Sequence, residues 1–310
     1  MRKPEYRHAQ WGLLQQDPDH GEVLRSRYAD QFFIPGSSAK LFSVSGTWHT
    51  LGGDHRFVTP VHAVGRRRGT TLDGDLDLIA QGDLTLGGRT RKNGTVAYTN
   101  LDHTYANDIP GATLTPQNPL AGIDQLARQV RDAGIERVDG DVVVPAVARY
   151  TSPSYAKYAE LILKVSHNLG ANLGNCLMAT HSGSSQCADG FPVLAKFLDG
   201  AKVDRKAAQL ADGRGGNPVD RATPRALAEI LMYWQRTPDA ERFRRSLPIL
   251  GVDGTLAESC RHCPARGKVF AKTGTAAGGD ALNDRLAVGA ETAAGYLETR
   301  KGHFTCSSPE

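Results

Sequence analysis

The stretch Phe33-Ile34-Pro35-Gly36-Ser37-Ser38-Ala39-Lys40-Leu41-Phe42 decides how the rest of this 310-residue chain is read. Pro35-Gly36 signals a turn. After it, Leu41, Phe42, Val44, Trp48 and Leu51 keep roughly helical spacing as far as the stop at Gly52-Gly53. The pattern predicts a helix over 37–51, apolar enough to be buried. Ser37 then lies in its first turn, and Lys40 lies one turn on, on the same face. A serine hydroxyl becomes a useful nucleophile when a neighbour takes its proton, and a lysine with a lowered pKa can be that neighbour. Backbone N–H groups of a first turn can hold an oxyanion. Taken alone, the same four residues also describe a capped helix start with a solvated lysine.

Two further stretches change that balance. One is Lys164-Val165-Ser166-His167-Asn168-Leu169-Gly170, and the other is Val269-Phe270-Ala271-Lys272-Thr273-Gly274-Thr275. Each has a plain structural reading of its own. Ser166 and Asn168 can cap or turn, and Lys272-Thr273-Gly274 can be an edge strand whose lysine guards against aggregation. Together, Ser-x-x-Lys, Ser-x-Asn and Lys-Thr-Gly in that order resemble the signature of serine penicillin-recognising enzymes.

Composition agrees with a soluble globular protein of one or two domains. Hydrophobic residues make up 40% and charged residues 23%, within the usual range for such folds. The net charge of +4 is mild, and no basic stripe interleaved with aromatics points to nucleic acid. Arg66-Arg67-Arg68 reads as a solvated turn. No apolar run is long enough to span a membrane. The charged start, Met1 to His8, carries no export signal. The five cysteines, Cys176, Cys187, Cys260, Cys263 and Cys306, leave structural disulfides, free thiols and a zinc site all open. Asp102-His103 reads as a turn rather than a metal site.

Along the chain, residues 9–29 predict a hairpin around Asp17-Pro18-Asp19-His20-Gly21. Strands are expected over 72–80, 138–144, 267–274 and 294–299, with Gly278-Gly279 as a break. Helices are expected over 120–134, 154–165 and 224–235, and a loop leads into a short helix near 247–256.

More text resembles one branch of these enzymes, the D-alanyl-D-alanine carboxypeptidase/endopeptidase family of low-molecular-mass penicillin-binding proteins. The matching stretches are Pro35–Leu41, Arg56–Pro60, Gly82–Leu86, Val138–Val144, Leu163–Asn168, Gly251–Leu256 and Lys268–Thr275, with Asp212-Gly213 ahead of Thr223-Pro224. The resemblance implies an α+β fold: a β-lactamase/transpeptidase-like antiparallel sheet flanked by helices, with an inserted mixed α/β subdomain. It places the catalytic domain at 1–60 and 151–310 and a shortened insertion at 61–150. His167 stands where the family often has Asp.

The resemblance also implies roles. Ser37 is the expected nucleophile, Lys40 its base and Ser166 the proton relay. Asn168, Lys272, Thr273, Gly274 and Thr275 are expected to bind substrate, with no metal or organic cofactor. Peptidoglycan stem peptides and β-lactam antibiotics are the implied partners, and the periplasm or cell envelope the implied location. The alternatives are a catalytically impaired peptidoglycan-binding relative and another amide or ester hydrolase of β-lactamase type. Family members continue past the strand near 294–299 into a further, central strand and a helix. Residues 301–310 offer only Phe304 and Cys306 as apolar side chains. The expectation is therefore a truncated C-terminus, a sheet lacking its central strand, and low stability.

Overall fold

In the computed structural model, which describes residues 6–100, 102–105, 117–140, 146–299 and 304–309, the apolar run after Lys40 forms a helix whose residues 40–48 are all buried. The elements in chain order begin with β1 (Leu13–Gln16), β2 (Val23–Arg27), α1 (Lys40–Leu51), β3 (Arg56–Arg68), β4 (Thr71–Leu78), α2 (Asp102–Tyr105) and α3 (Ala121–Asp132). Next come β5 (Arg137–Val138), β6 (Ala146–Ser154), α4 (Tyr155–Lys164), α5 (Asn168–His181), α6 (Gly190–Gly200), β7 (Ala208–Gln209) and β8 (Arg221–Ala222). The chain ends with α7 (Pro224–Gln235), α8 (Ala240–Ser246), β9 (Val269–Asp280), β10 (Arg285–Glu298) and β11 (Phe304–Pro309).

The chain divides into two units, Met1–Gly53 with Thr99–Ala112 and Ala159–Glu310, and Asp54–Tyr98 with Thr113–Tyr158. These bounds differ from the expected 60/61 and 150/151. Residues 56–60 begin β3, which runs unbroken to Arg68 and pairs with β4 and β6, so they belong to the second unit. Thr99–Ala112 returns to the first.

In the first unit a five-stranded sheet has the order β2-β1-β11-β10-β9. The expectation of a missing central strand is thereby corrected. Strand β11 pairs antiparallel with β1 from Leu13↔Pro309 to Gln16↔Cys306, and with β10 from Gly295↔Ser307 to Glu298↔Phe304. A ladder is a backbone structure, so a segment poor in apolar side chains can still complete it. Pro309 stands at the last position of the strand, where a missing donor interrupts least. Gly278-Gly279 does not break the chain either. Strands β9 and β10 pair out to Asp280 and Arg285, and the turn lies beyond, where the Asp280 carboxylate accepts from Asn283 and Arg285.

The helices of this unit are fastened by aromatic packing. Trp48 of α1 lies 5.3 Å from Trp234 of α7, which stacks on Phe243 of α8 at 4.6 Å. The indole N–H groups are satisfied, Trp234 by Ser45 Oγ at 2.7 Å and Trp48 by Asp239 at 2.9 Å. Helix α7 starts as the sequence implies: Thr223 caps it by accepting from Ala226 N, and Pro224 occupies the first turn. Tyr296 of β10 donates to Leu231 O at 2.7 Å, tying α7 to the sheet. Of the cysteines, Cys176 bonds to Cys187 and Cys260 to Cys263, so the disulfide alternative holds for these four.

The second unit has the sheet order β5-β4-β3-β6 with α3 on it. Val61, Ala63, Leu72, Leu126, Val130, Ile135, Ala148 and Tyr150 form its core. Of the expected strand over 138–144, Val138 lies in β5 (Arg137–Val138), and 141–144 lie outside the described residues.

Removing the stacked ring at Phe243, which is fully buried, leaves a cavity between α7 and α8. Phe243→Ala is expected to cost about 3–5 kcal/mol in urea denaturation. A loss of under about 1 kcal/mol would show that this aromatic cluster does not hold the helices.

Candidate active site

Ser37 and Lys40 occupy the start of the buried helix. Gly36–Ala39 form one 3-10 turn, and Lys40 is the first residue of α1. Lys40 Nζ lies 2.7 Å from Ser37 Oγ, 2.9 Å from Asn168 Oδ1 and 3.0 Å from the carbonyl of Arg214. Two of the sequence motifs therefore meet at a single amine.

Ser166 and Asn168 sit where α4 gives way to α5. Ser166 has φ +58°, a left-handed conformation uncommon outside glycine. The turn is held from both ends. Lys164, buried, bonds both carboxylate oxygens of Asp253 at 2.7 Å, and His167 Nδ1 accepts from Gly170 N to cap α5. His167, where the resemblance leads one to expect Asp, is therefore the N-cap of α5.

Strand β9 brings the third motif. Lys272 is fully buried and its Nζ lies 3.0 Å from Ser166 Oγ and 2.6 Å from Thr273 O. Thr273 Oγ1 lies 2.6 Å from Thr255 Oγ1. Gly274 and Thr275 press against the Ser37 turn. A Cβ on Gly274 would fall 2.3 Å from Pro35 O and 2.8 Å from Ser38 N, and one on Gly36 would fall 2.9 Å from Thr275 N. These two glycines let the backbones of β9 and the serine turn touch, and Gly36 is also at φ +47°. Thr292 of β10 donates to Pro35 O at 2.8 Å and completes the clamp.

The loop 212–216 supplies contacts that no side-chain motif announces. Arg214 O takes Lys40, and Gly213 O takes Ser43 Oγ at 2.6 Å. Asp212 Oδ1 shapes the loop by accepting from Arg214 N at 2.9 Å and Gly215 N at 2.6 Å. Asp212-Gly213 could be noticed in the sequence as a family-like loop, but a backbone carbonyl leaves no sequence signal.

Electrostatics single out the two lysines. Burial pushes Lys40 down to about 7; the nearby Asp212 carboxylate pulls upward against this, and Arg214 adds to the fall. Burial also holds Lys272 well below the ordinary lysine value, helped by the charge of Lys40. The arrangement can present a neutral amine to a serine hydroxyl at neutral pH.

Residues 1–157 and 145–304 match the D-Ala-D-Ala carboxypeptidase 3 (S13) family, and the chain belongs to it. A D-alanyl-D-alanine carboxypeptidase of Actinomadura sp. (strain R39) is 29% identical over 188 residues, which is 56% of this chain and 35% of that protein. The match thus spans about a third of the relative's length. Among solved structures, penicillin binding protein 4 of Haemophilus influenzae, complexed with a β-lactam, aligns with TM-score 0.70 at 16% identity, covering 98% of this chain and 90% of that one. A predatory endopeptidase of Bdellovibrio bacteriovorus, acylated by penicillin G, aligns with TM-score 0.57 at 14% identity, covering 96% and 85%. At these identities the structures establish a shared fold, the β-lactamase/transpeptidase type expected from the sequence.

The contact between β9 and the serine turn is testable. Gly274→Ala forces backbone atoms apart by several tenths of an ångström or more, and is expected to quicken amide hydrogen exchange over residues 36–40 by about 10-fold while the protein still unfolds cooperatively. Unchanged exchange there would show that the close approach does not hold the serine turn.

Proposed function

We propose that the chain is a serine-type D-Ala-D-Ala peptidase that acts on peptidoglycan stem peptides through an acyl-enzyme on Ser37, and that β-lactams acylate the same serine. The observation that carries this reading is the buried Lys40 amine 2.7 Å from Ser37 Oγ. Family membership supports the reaction class. The disulfides Cys176–Cys187 and Cys260–Cys263 support an oxidising location such as the cell envelope. Among the described residues no helix is long and apolar enough to cross a membrane.

In this mechanism neutral Lys40 takes the proton of Ser37 as Oγ bonds to the carbonyl carbon of the penultimate D-alanine. The N–H groups of Ser37 and Thr275 hold the oxyanion, each contributing on the order of 3 kcal/mol. The C–N bond then breaks, and the departing amine receives a proton through Ser166. Asn168 binds the substrate amide. Lys272, with the Thr273-Gly274-Thr275 strand, receives the terminal carboxylate. Water attacks the ester carbon, its proton passes to Lys40 and on to Ser37 Oγ, and the acid leaves.

Labelling with a fluorescent penicillin tests the assignment. Intact mass is expected to rise with penicillin, and Ser37→Ala to abolish the rise. Label that persists in Ser37→Ala, or maps to Ser38 or Ser166, would falsify the assignment.

Lys40 also predicts a pH profile. With its pKa lowered to about 7, the amine is protonated and idle below that pH and free above it, so acylation is expected to speed up as pH rises through about 7. Asp212 favours the charged lysine. Asp212→Asn keeps an acceptor for the loop and removes the charge, so the rising limb is expected to move to lower pH. A limb that stays in place in rapid-quench acylation would remove Lys40 as the titrating base.

A further inference from the structure

Asp102-His103 reads from the sequence as a turn, and the chemistry above does not use it. The structure fastens this pair to the back of the Ser166 turn. Asp102 is buried, and its Oδ2 accepts from Thr99 N at 2.8 Å while its own N–H donates to Thr99 O at 3.1 Å. Asn100 Oδ1 accepts from Gly254 N at 2.9 Å. Gly254 adjoins Lys164, since a Cβ there would fall 2.5 Å from Lys164 O. On the other side of this anchor, His103 Nδ1 lies 3.1 Å from Val165 O. Asn100 and His103 are thus pinned to Gly254 and to Val165, the residue immediately before Ser166.

A carbonyl oxygen only accepts, so Nδ1 carries the hydrogen and Nε2 is the acceptor nitrogen of the neutral ring. Burial toward the site, with the charges of Lys272 and Lys40, moves the imidazole below its ordinary value, although the residue keeps solvent access. The Val165 carbonyl and the Ser166 N–H share one rigid peptide plane. Fixing the direction of that carbonyl therefore constrains Ser166, whose φ of +58° needs outside support.

We propose that His103 is a positioning residue of the active site: its Nδ1–H holds the Val165 carbonyl and thereby sets the Ser166 hydroxyl against Lys272. The inference rests on the reading that Ser166 and Lys272 serve acyl transfer. It assigns His103 no proton transfer.

Two variants test this, because the side-chain amide of asparagine can place an N–H near the position of Nδ1. His103→Leu is expected to lower the second-order rate of penicillin acylation by ~10–100-fold, with His103→Asn within ~3-fold of the unchanged protein. Amide hydrogen exchange over 165–168 is expected to quicken in His103→Leu and not in His103→Asn, a readout independent of catalysis. A leucine variant as fast and as protected as the unchanged protein overturns the proposal. So does an asparagine variant that folds but reacts as slowly as the leucine one, which would assign the ring itself to proton transfer. If the leucine variant does not fold, a folded asparagine variant slowed by more than about 10-fold overturns it. Failure of the unchanged protein to acylate would instead refute the proposed function, with the exchange measurement still deciding the role of His103.

Discussion

The site depends on an amine kept out of water with a full set of partners. Lys40 meets Ser37 Oγ, Asn168 Oδ1 and Arg214 O, all within 3.0 Å. The oxygens of Asn168 and Arg214 can only accept. A neutral amine has two hydrogens and one lone pair, so it satisfies both and turns its lone pair to the serine hydroxyl. The geometry that solvates the buried lysine is the geometry of a base. An ammonium in the same place would also find three acceptors, but burial raises its cost, and the balance falls at a pKa of about 7.

Much of this was legible because its parts are local. Ser37 and Lys40 share one turn of chain, Ser166 and Asn168 one helix start, and Lys272 to Thr275 one strand. What the spacing could not show is what long-range packing supplies. The third partner of Lys40 is a main-chain carbonyl in 212–216, which any residue could provide. Lys164 looked like a member of a motif stretch, yet its buried bond to Asp253 anchors the Ser166 turn. His167 looked like a neutral departure, and it caps α5.

The sheet shows where side-chain patterning misleads. Residues 304–309 read as too polar for a central strand, because patterning reports the environment of side chains. Their ladder partners on both sides are backbone groups of β1 and β10. The same reasoning ended β9 at Gly274 and broke the chain at Gly278-Gly279, whereas the ribbon runs on to Asp280. Glycines in this region are partly there for contact: Gly274 allows β9 to lie on the serine turn. A residue that weakens a strand by itself can be needed to bring that strand to its neighbour.

The two lysines are held by the same force under the proposed mechanism. Lys272 is buried, and the charge of Lys40 adds to what burial costs a positive charge there. Burial likewise works against charge on Lys40, the Asp212 carboxylate favours it, and the balance falls at about 7. A substrate carboxylate at Lys272 would supply the counter-charge that burial denies that amine. It brings one negative charge to a place that gains at most one positive charge, so the balance at Lys40 stays with burial, Asp212 and Arg214. Recognition and activation then fall to different amines, Lys272 for the carboxylate and Lys40 for the serine.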